Sequence, residues 1–139
     1  MLSIDLIAVG KLKNDPLQDT FEDYRKRLLW KFNLLELEGQ TQAEQLLKIS
    51  DKLNPRAALV VLDERGKSIP SRDFAAKMDG WQTSHGQVQF VIGGADGLSD
   101  DIRKKAVFLM SFGAQTWPHM MARGMLMAQI HRAQQILAG

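Results

Sequence analysis

A chain of 139 residues with 45% hydrophobic and 24% charged residues and no low-complexity tract is long enough for one domain with a sizeable core and too short for two, and its composition is that of a folded chain. The absence of cysteine excludes disulfides and thiolate chemistry, and the three histidines, His85, His119 and His131, are too few to support a metal site. Asp5 interrupts the N-terminal apolar run and no stretch is long enough to span a bilayer, so neither signal peptide nor membrane anchor is expected and a cytoplasmic enzyme fits. The net charge of +2 hides an asymmetry: all 16 acidic residues lie at or before Asp101. Residues 102–139 carry Arg103, Lys104, Lys105, Arg123 and Arg132 with no acid. Such an end either faces a polyanion or is neutralised in the fold by acidic neighbours.

Strands and helices alternate along the chain. Ser3–Val9 reads as a strand, and Asp15-Pro16 opens a helix with Leu17, Phe21, Tyr24 and Leu28 on one face. Phe32–Leu37 is a second strand, and Thr41 with Glu44 forms a capping box for a helix through Leu46, Leu47 and Ile49. Ala57–Leu62 is apolar on both faces, as a central parallel strand requires, and is expected to end in a polar turn, Asp63–Ser68. Ser71 begins a helix with Phe74, Met78 and Trp81 on one side, followed by a strand at Val88–Ile92. After a glycine-rich loop come a short helix from Asp100, a strand at Val107–Ser111, a loop at Phe112–Trp117 and a helix from Pro118 to about Leu137. The predicted fold is α/β, a mostly parallel sheet covered by helices on both sides, in a single domain over residues 1–139.

Ligands in such sheets bind at the carboxyl ends of the strands. Three turns fall there: Asp63–Ser68, the glycine loop and Phe112–Trp117. In the glycine loop, Gly93, Gly94 and Gly97 permit φ > 0 and allow a ligand to approach main-chain N–H groups that a Cβ would shield. Ser99 stands at the N-cap of the next helix, with Asp100 and Asp101 in its first turn. A dinucleotide fold is disfavoured, because the loop lacks G-x-G-x-x-G spacing and no acid follows about 20 residues later. A P-loop is excluded by the missing Gly-Lys-Ser/Thr, and the open-sheet methyltransferase pattern fails because only Gly10 separates the first strand from Lys11.

The segments LDERGKSIPSRDFA (62–75), VIGGADGLS (91–99) and TWPHMMARGMLMAQIHRAQ (116–134) resemble, in order and spacing, the small SPOUT-class family of ribosomal RNA large subunit methyltransferase H. The resemblance covers essentially the whole chain, and IGG-x-x-GLS followed by PH-x-x-x-R is a specific combination. It implies an α/β fold with a C-terminal trefoil knot and a homodimer. The implied reaction is methylation, from S-adenosylmethionine, of N3 of a pseudouridine in 23S ribosomal RNA of the assembled ribosome. Sequence patterns alone give no sign of a knot, which chains generally avoid.

By the same resemblance, cofactor contacts carry over to Leu62, to Gly94 with Gly93 beside it, and to Gly113, Ala114, Gln115, Thr116, Trp117 and Pro118. Arg123 is expected to hold RNA phosphate or orient the target base, with His119 and Arg132 as further RNA contacts. For the proton on the target nitrogen, Asp63 and Glu64 are candidates by location and His131 by chemistry, so Arg123 and His131 are the expected catalytic residues. Met120, Met121, Met125 and Met127 read as core or dimer packing, around a stripe of Leu126, Ile130, Ala133 and Leu137 expected to face the core. The sequence departs from the family pattern at His131, where a Tyr is usual, at Ala128, where a Glu is usual, and in a His-Pro-Tyr-His-Arg tail that would follow the last helix. These departures are expected to weaken catalysis more than cofactor binding, leaving a non-catalytic ribosome-binding member as the alternative.

Overall fold

A computed structural model of the chain describes residues 1–13, 15–94 and 96–139, with only the backbone of His119. Five strands, β1 (Ser3–Val9), β2 (Lys31–Leu37), β3 (Ala58–Lys67), β4 (Gln87–Ile92) and β5 (Phe108–Met110), form one sheet in the order β2-β1-β4-β3-β5. Every pairing is parallel. Four helices make the crossovers, α1 (Gln18–Arg27), α2 (Gln42–Lys52), α3 (Ser71–Ser84) and α4 (Asp100–Lys105), and α5 (His119–Ala138) follows the last strand.

Alternation along the strands decides which helix covers which face. Ile4, Leu6 and Ala8 of β1, with Val88, Phe90 and Ile92 of β4, pack against Phe21 of α1, Phe74 and Met78 of α3, and Leu126, Met127 and Ile130 of α5. The intervening Ile7, Val9, Leu59, Val61 and Val91 meet Ile49 of α2 and Ile102 of α4. Asp5 lies on this second face. Its carboxylate accepts hydrogen bonds from Asn33 on β2 (3.2 Å) and from Gln87 and Gln89 on β4 (2.9 and 3.0 Å), so a buried acid within an apolar strand is satisfied by its neighbours in the register.

The expected elements are all present, with local differences that have physical causes. Asp15 opens α1 through a turn in which its side chain accepts from Leu17 N at 2.9 Å, and the helix proper begins at Gln18. The Thr41 hydroxyl caps Glu44 N at 3.2 Å, but Glu44 reaches back to Gln40 N, one residue earlier than a capping box. Leu137 is 39% exposed rather than in the core, whereas Met127, expected off the stripe, is fully buried. The stretch 63–67 is strand, not turn. Leu62 and Lys67 both align with Met110, so β3 bulges between them and ends at Lys67, level with the last residue of β5.

The bulge depends on Gly66. A Cβ there would stand 2.5 Å from the carbonyl carbon and oxygen of Leu109, within the backbone of β5, which no rotamer change relieves. Gly66→Ala is therefore expected to destabilise the fold by about 3 kcal/mol through forced separation of β3 and β5. Thermal unfolding by circular dichroism checks it; an unchanged midpoint would show that the strand ends do not need this approach.

Candidate cofactor site

The carboxyl ends of β3, β4 and β5 open onto one cavity of about 480 Å³, within the range of small-molecule sites. Three segments form its walls. The β3 bulge contributes Leu62, Asp63, Glu64 and Arg65; the loop after β4 contributes Gly93, Gly94, Gly97 and Leu98; and the stretch after β5 contributes Ser111, Gly113, Gln115, Thr116 and Trp117.

The glycines act in different ways. Gly97 and Gly113 have φ of +75° and +115°, and a Cβ on either would stand in open space, so the wall there is bare backbone. Gly93 and Gly94 lack positive φ. They are needed because the loop is packed from behind: a Cβ on Gly93 would meet Leu98 at 2.9 Å, and one on Gly94 would meet Gln45 Oε1 at 2.9 Å and Val9 Cγ1 at 3.2 Å. A side chain at Gly94 would thus have to turn the end of Gln45 aside and crowd Val9.

Polar contacts hold the loops in place. Gln42 of α2 donates to the carbonyl of Asp96 at 2.8 Å. Ser99 caps α4 by accepting from Ile102 N, as its position in the sequence implied. Arg103 donates to the carbonyl of Leu98, pairs with Asp100 on its own helix and reaches Asp63 on β3 at 3.4 Å. One guanidinium thereby joins the glycine loop to the bulge. Across the cavity Thr116 donates to Glu64 at 3.0 Å, and Trp117 Nε1 donates to the carbonyl of Phe112 at 3.3 Å. Ser111 Oγ accepts from Gly113 N and donates to the carbonyl of Gly113, which tightens the turn.

Of the expected cofactor residues, Leu62, Gly93, Gly94, Gly113, Gln115, Thr116 and Trp117 face the cavity, while Ala114 and Pro118 belong to the same segment without lining it. Arg103 was missed as a site residue. Its signal was present in the sequence, since it lies three residues after Asp100 on a short helix that follows the glycine loop. The side chain of His119 lies outside the described residues.

Arg123 is not where an RNA contact belongs. Its side chain is fully buried, with Nη1 on Glu36 Oε2 at 2.6 Å and Nη2 on the carbonyls of Val9 and Gly10 at 3.2 and 2.8 Å. No phosphate or base reaches it within this fold. His131 is half-buried against α1, its ring 5.9 Å from that of Tyr24, and it does not line the cavity. Arg132 is exposed on the same helix.

The family described as "Predicted SPOUT methyltransferase" matches residues 2–139. The chain belongs to the SPOUT methyltransferase family. It is 46% identical, over 96% of its length and 93% of the relative's, to the Rhodospirillum centenum protein named ribosomal RNA large subunit methyltransferase H. Proteins of the same name from Rhodopseudomonas palustris and Cereibacter sphaeroides are 41% and 43% identical over 99% of the chain and 96% of their own length. Among solved structures, the SpoU methyltransferase AviRb from Streptomyces viridochromogenes, in complex with AdoMet, superposes with a TM-score of 0.53 at 11% identity. That match covers all of this chain but 62% of AviRb, and it bears on the fold alone.

The Asp100–Arg103 pair predicts a pH dependence. The hydrogen bond from Arg103, and then its charge, hold the Asp100 carboxyl below its ordinary value of 3.8. The folded state therefore gains stability above that value, and the gain is lost as pH falls through the lowered folded one. Because Asp100 is exposed, the effect is small. Asp100→Asn is expected to lower the unfolding midpoint slightly at neutral pH, with the difference vanishing in strong acid; a gap that persists or widens there would contradict it.

Proposed function

We propose that this SPOUT-family methyltransferase takes S-adenosylmethionine in the cavity between β3, β4 and β5 and methylates large-subunit ribosomal RNA, at N3 of a pseudouridine in 23S RNA of the assembled ribosome. The observation that carries the reading is the convergence of three strand ends on a cavity whose wall is bare backbone at Gly97 and Gly113. Exposed main-chain groups suit the polar edge of adenine, and Leu62 with Trp117 offers apolar surface for its ring. The resemblance to proteins named ribosomal RNA large subunit methyltransferase H supports the RNA substrate.

Bound S-adenosylmethionine supplies an electrophilic methyl on a sulfonium, so the protein's task is to align the acceptor nitrogen and relieve it of its proton. Of the two carboxylates at the bulge, Asp63 is engaged by Arg103, whereas Glu64 is exposed and, among the described residues, accepts a hydrogen bond from Thr116 alone. Glu64 is thus the better placed to accept the proton. Lys104, Lys105 and Arg132 are exposed cations available to phosphate.

The resemblance also implies the trefoil knot and the homodimer. A dimer through α5 is supported by apolar side chains left in solvent along and before that helix: Trp117 at 41%, Met121 at 37% and Leu137 at 39% exposure. A second protomer there is the partner that would bring His131 and Arg132 to another subunit's cavity.

Calorimetric titration with S-adenosylhomocysteine is expected to show one site per chain, lost in Gly113→Val, where a branched residue enters the cavity and resists positive φ. Undiminished binding in that variant would remove the site. On ribosomes lacking the modification, methyl transfer by Glu64→Gln is expected to fall by roughly a hundredfold with cofactor binding retained; equal transfer would take the proton away from Glu64. Sedimentation is expected to show a dimer that Met121→Asp with Leu137→Asp splits, and a monomeric wild-type chain at micromolar concentration would refute the interface.

A further inference from the structure

Among the described residues, Arg123 is the largest fully buried side chain, and its Nε has no hydrogen-bond partner. A buried ion pair is a poor device for stability alone, since apolar residues of similar volume often serve as well or better. What a guanidinium does better is fix direction, because its planar fork holds several acceptors at once.

The acceptors lie at the foundations of the cavity. Arg123 Nη2 takes the carbonyls of Val9 and Gly10, at the carboxyl end of β1, and Nη1 takes Glu36 near the end of β2. The same Glu36 oxygen accepts from Leu12 N at 2.7 Å, which pins the chain leaving β1. Val9 is also the residue on which the glycine loop rests, 3.2 Å from where a Cβ of Gly94 would be. Arg123 sits one residue after Ala122, which lines the cavity, and four residues after the start of α5. One strand end therefore supports the loop after β4 and anchors the helix that follows the loop after β5.

We propose that Arg123, with Glu36, is a positioning residue: by tying the start of α5 to the end of β1, it sets the distance between the glycine loop and the 111–118 segment, and so the shape of the cofactor cavity. It acts through these loops and touches neither cofactor nor RNA. The inference rests on the cavity being the cofactor site.

The test replaces the pair by apolar residues. Arg123→Met with Glu36→Leu removes both charges, so no buried charge is left unpaired. The Val9 and Gly10 carbonyls and Leu12 N lose their partners, so the chain is expected to fold but to melt several degrees below the wild-type temperature. Its affinity for S-adenosylhomocysteine is expected to fall roughly tenfold or more, because loops no longer preorganised must be ordered on binding. Amide hydrogen exchange at 111–118 is expected to quicken, with exchange in β1 and β4 unchanged. Arg123→Lys, which keeps the charge and loses the fork, is expected to fall between the two and serves if the double variant does not fold. Leu126→Ala, a cavity in the buried face of the same helix, is the control for general destabilisation. Wild-type affinity and exchange in the folded variants, or the same loop exchange and affinity loss in Leu126→Ala, would overturn the assignment. A wild-type chain that fails to bind S-adenosylhomocysteine would sink the cofactor reading instead, and the exchange at 111–118 still decides whether Arg123 positions the segment.

Discussion

All five strands run in one direction, and most of what is distinctive in this protein follows from that constraint. Parallel neighbours cannot be joined by a hairpin, so each connection crosses a face of the sheet and usually carries a helix. The crossovers leave both faces covered, which is why β1, β3 and β4 are apolar on both sides. They also place every strand's carboxyl end at one edge. Loops distant in sequence, from Leu62 to Trp117, are brought together there by the strands, and contacts such as Thr116 to Glu64 and Arg103 to Asp63 then hold them.

The order β2-β1-β4-β3-β5 then separates support from contact. β3, β4 and β5 send their following segments into the cavity, whereas β1 and β2 end behind it and offer carbonyls and a carboxylate as anchor points. α5 begins directly beyond the last cavity loop and must be held firmly if that loop is to keep its shape. Arg123 answers this need by bonding across 87 residues of sequence to Glu36.

The segregation of charge resolves in the same way. Two of the five cations beyond Asp101 are consumed internally, Arg103 by Asp63 and Asp100, and Arg123 by Glu36. All three acids come from the first 101 residues, so part of the asymmetry in the sequence is the two halves of internal ion pairs. Lys104, Lys105 and Arg132 are exposed. Internal neutralisation therefore holds for Arg103 and Arg123, and the polyanion reading is left to the three exposed cations.

The order and type of the elements, the double-sided burial of β3, the cap at Ser99 and the convergence of three strand-end segments on one cavity were determined by the sequence alone, because they rest on periodicity, short-range backbone chemistry and the parallel sheet these imply. Most of the residues facing the cavity fall in the three turns that the sequence placed at strand ends, or among those the family resemblance implied. The continuation of β3 past Leu62, the burial of Arg123 and the retreat of His131 against Tyr24 were decided only by the tertiary structure. Each depends on a partner far along the chain: Leu109 for Gly66, Glu36 for Arg123, α1 for His131. A polar turn and a bulged strand share one composition, and an arginine that binds RNA is spelled the same as one that binds a carboxylate. Only the crossing of the strands chooses between them, since it determines which group is within hydrogen-bonding reach.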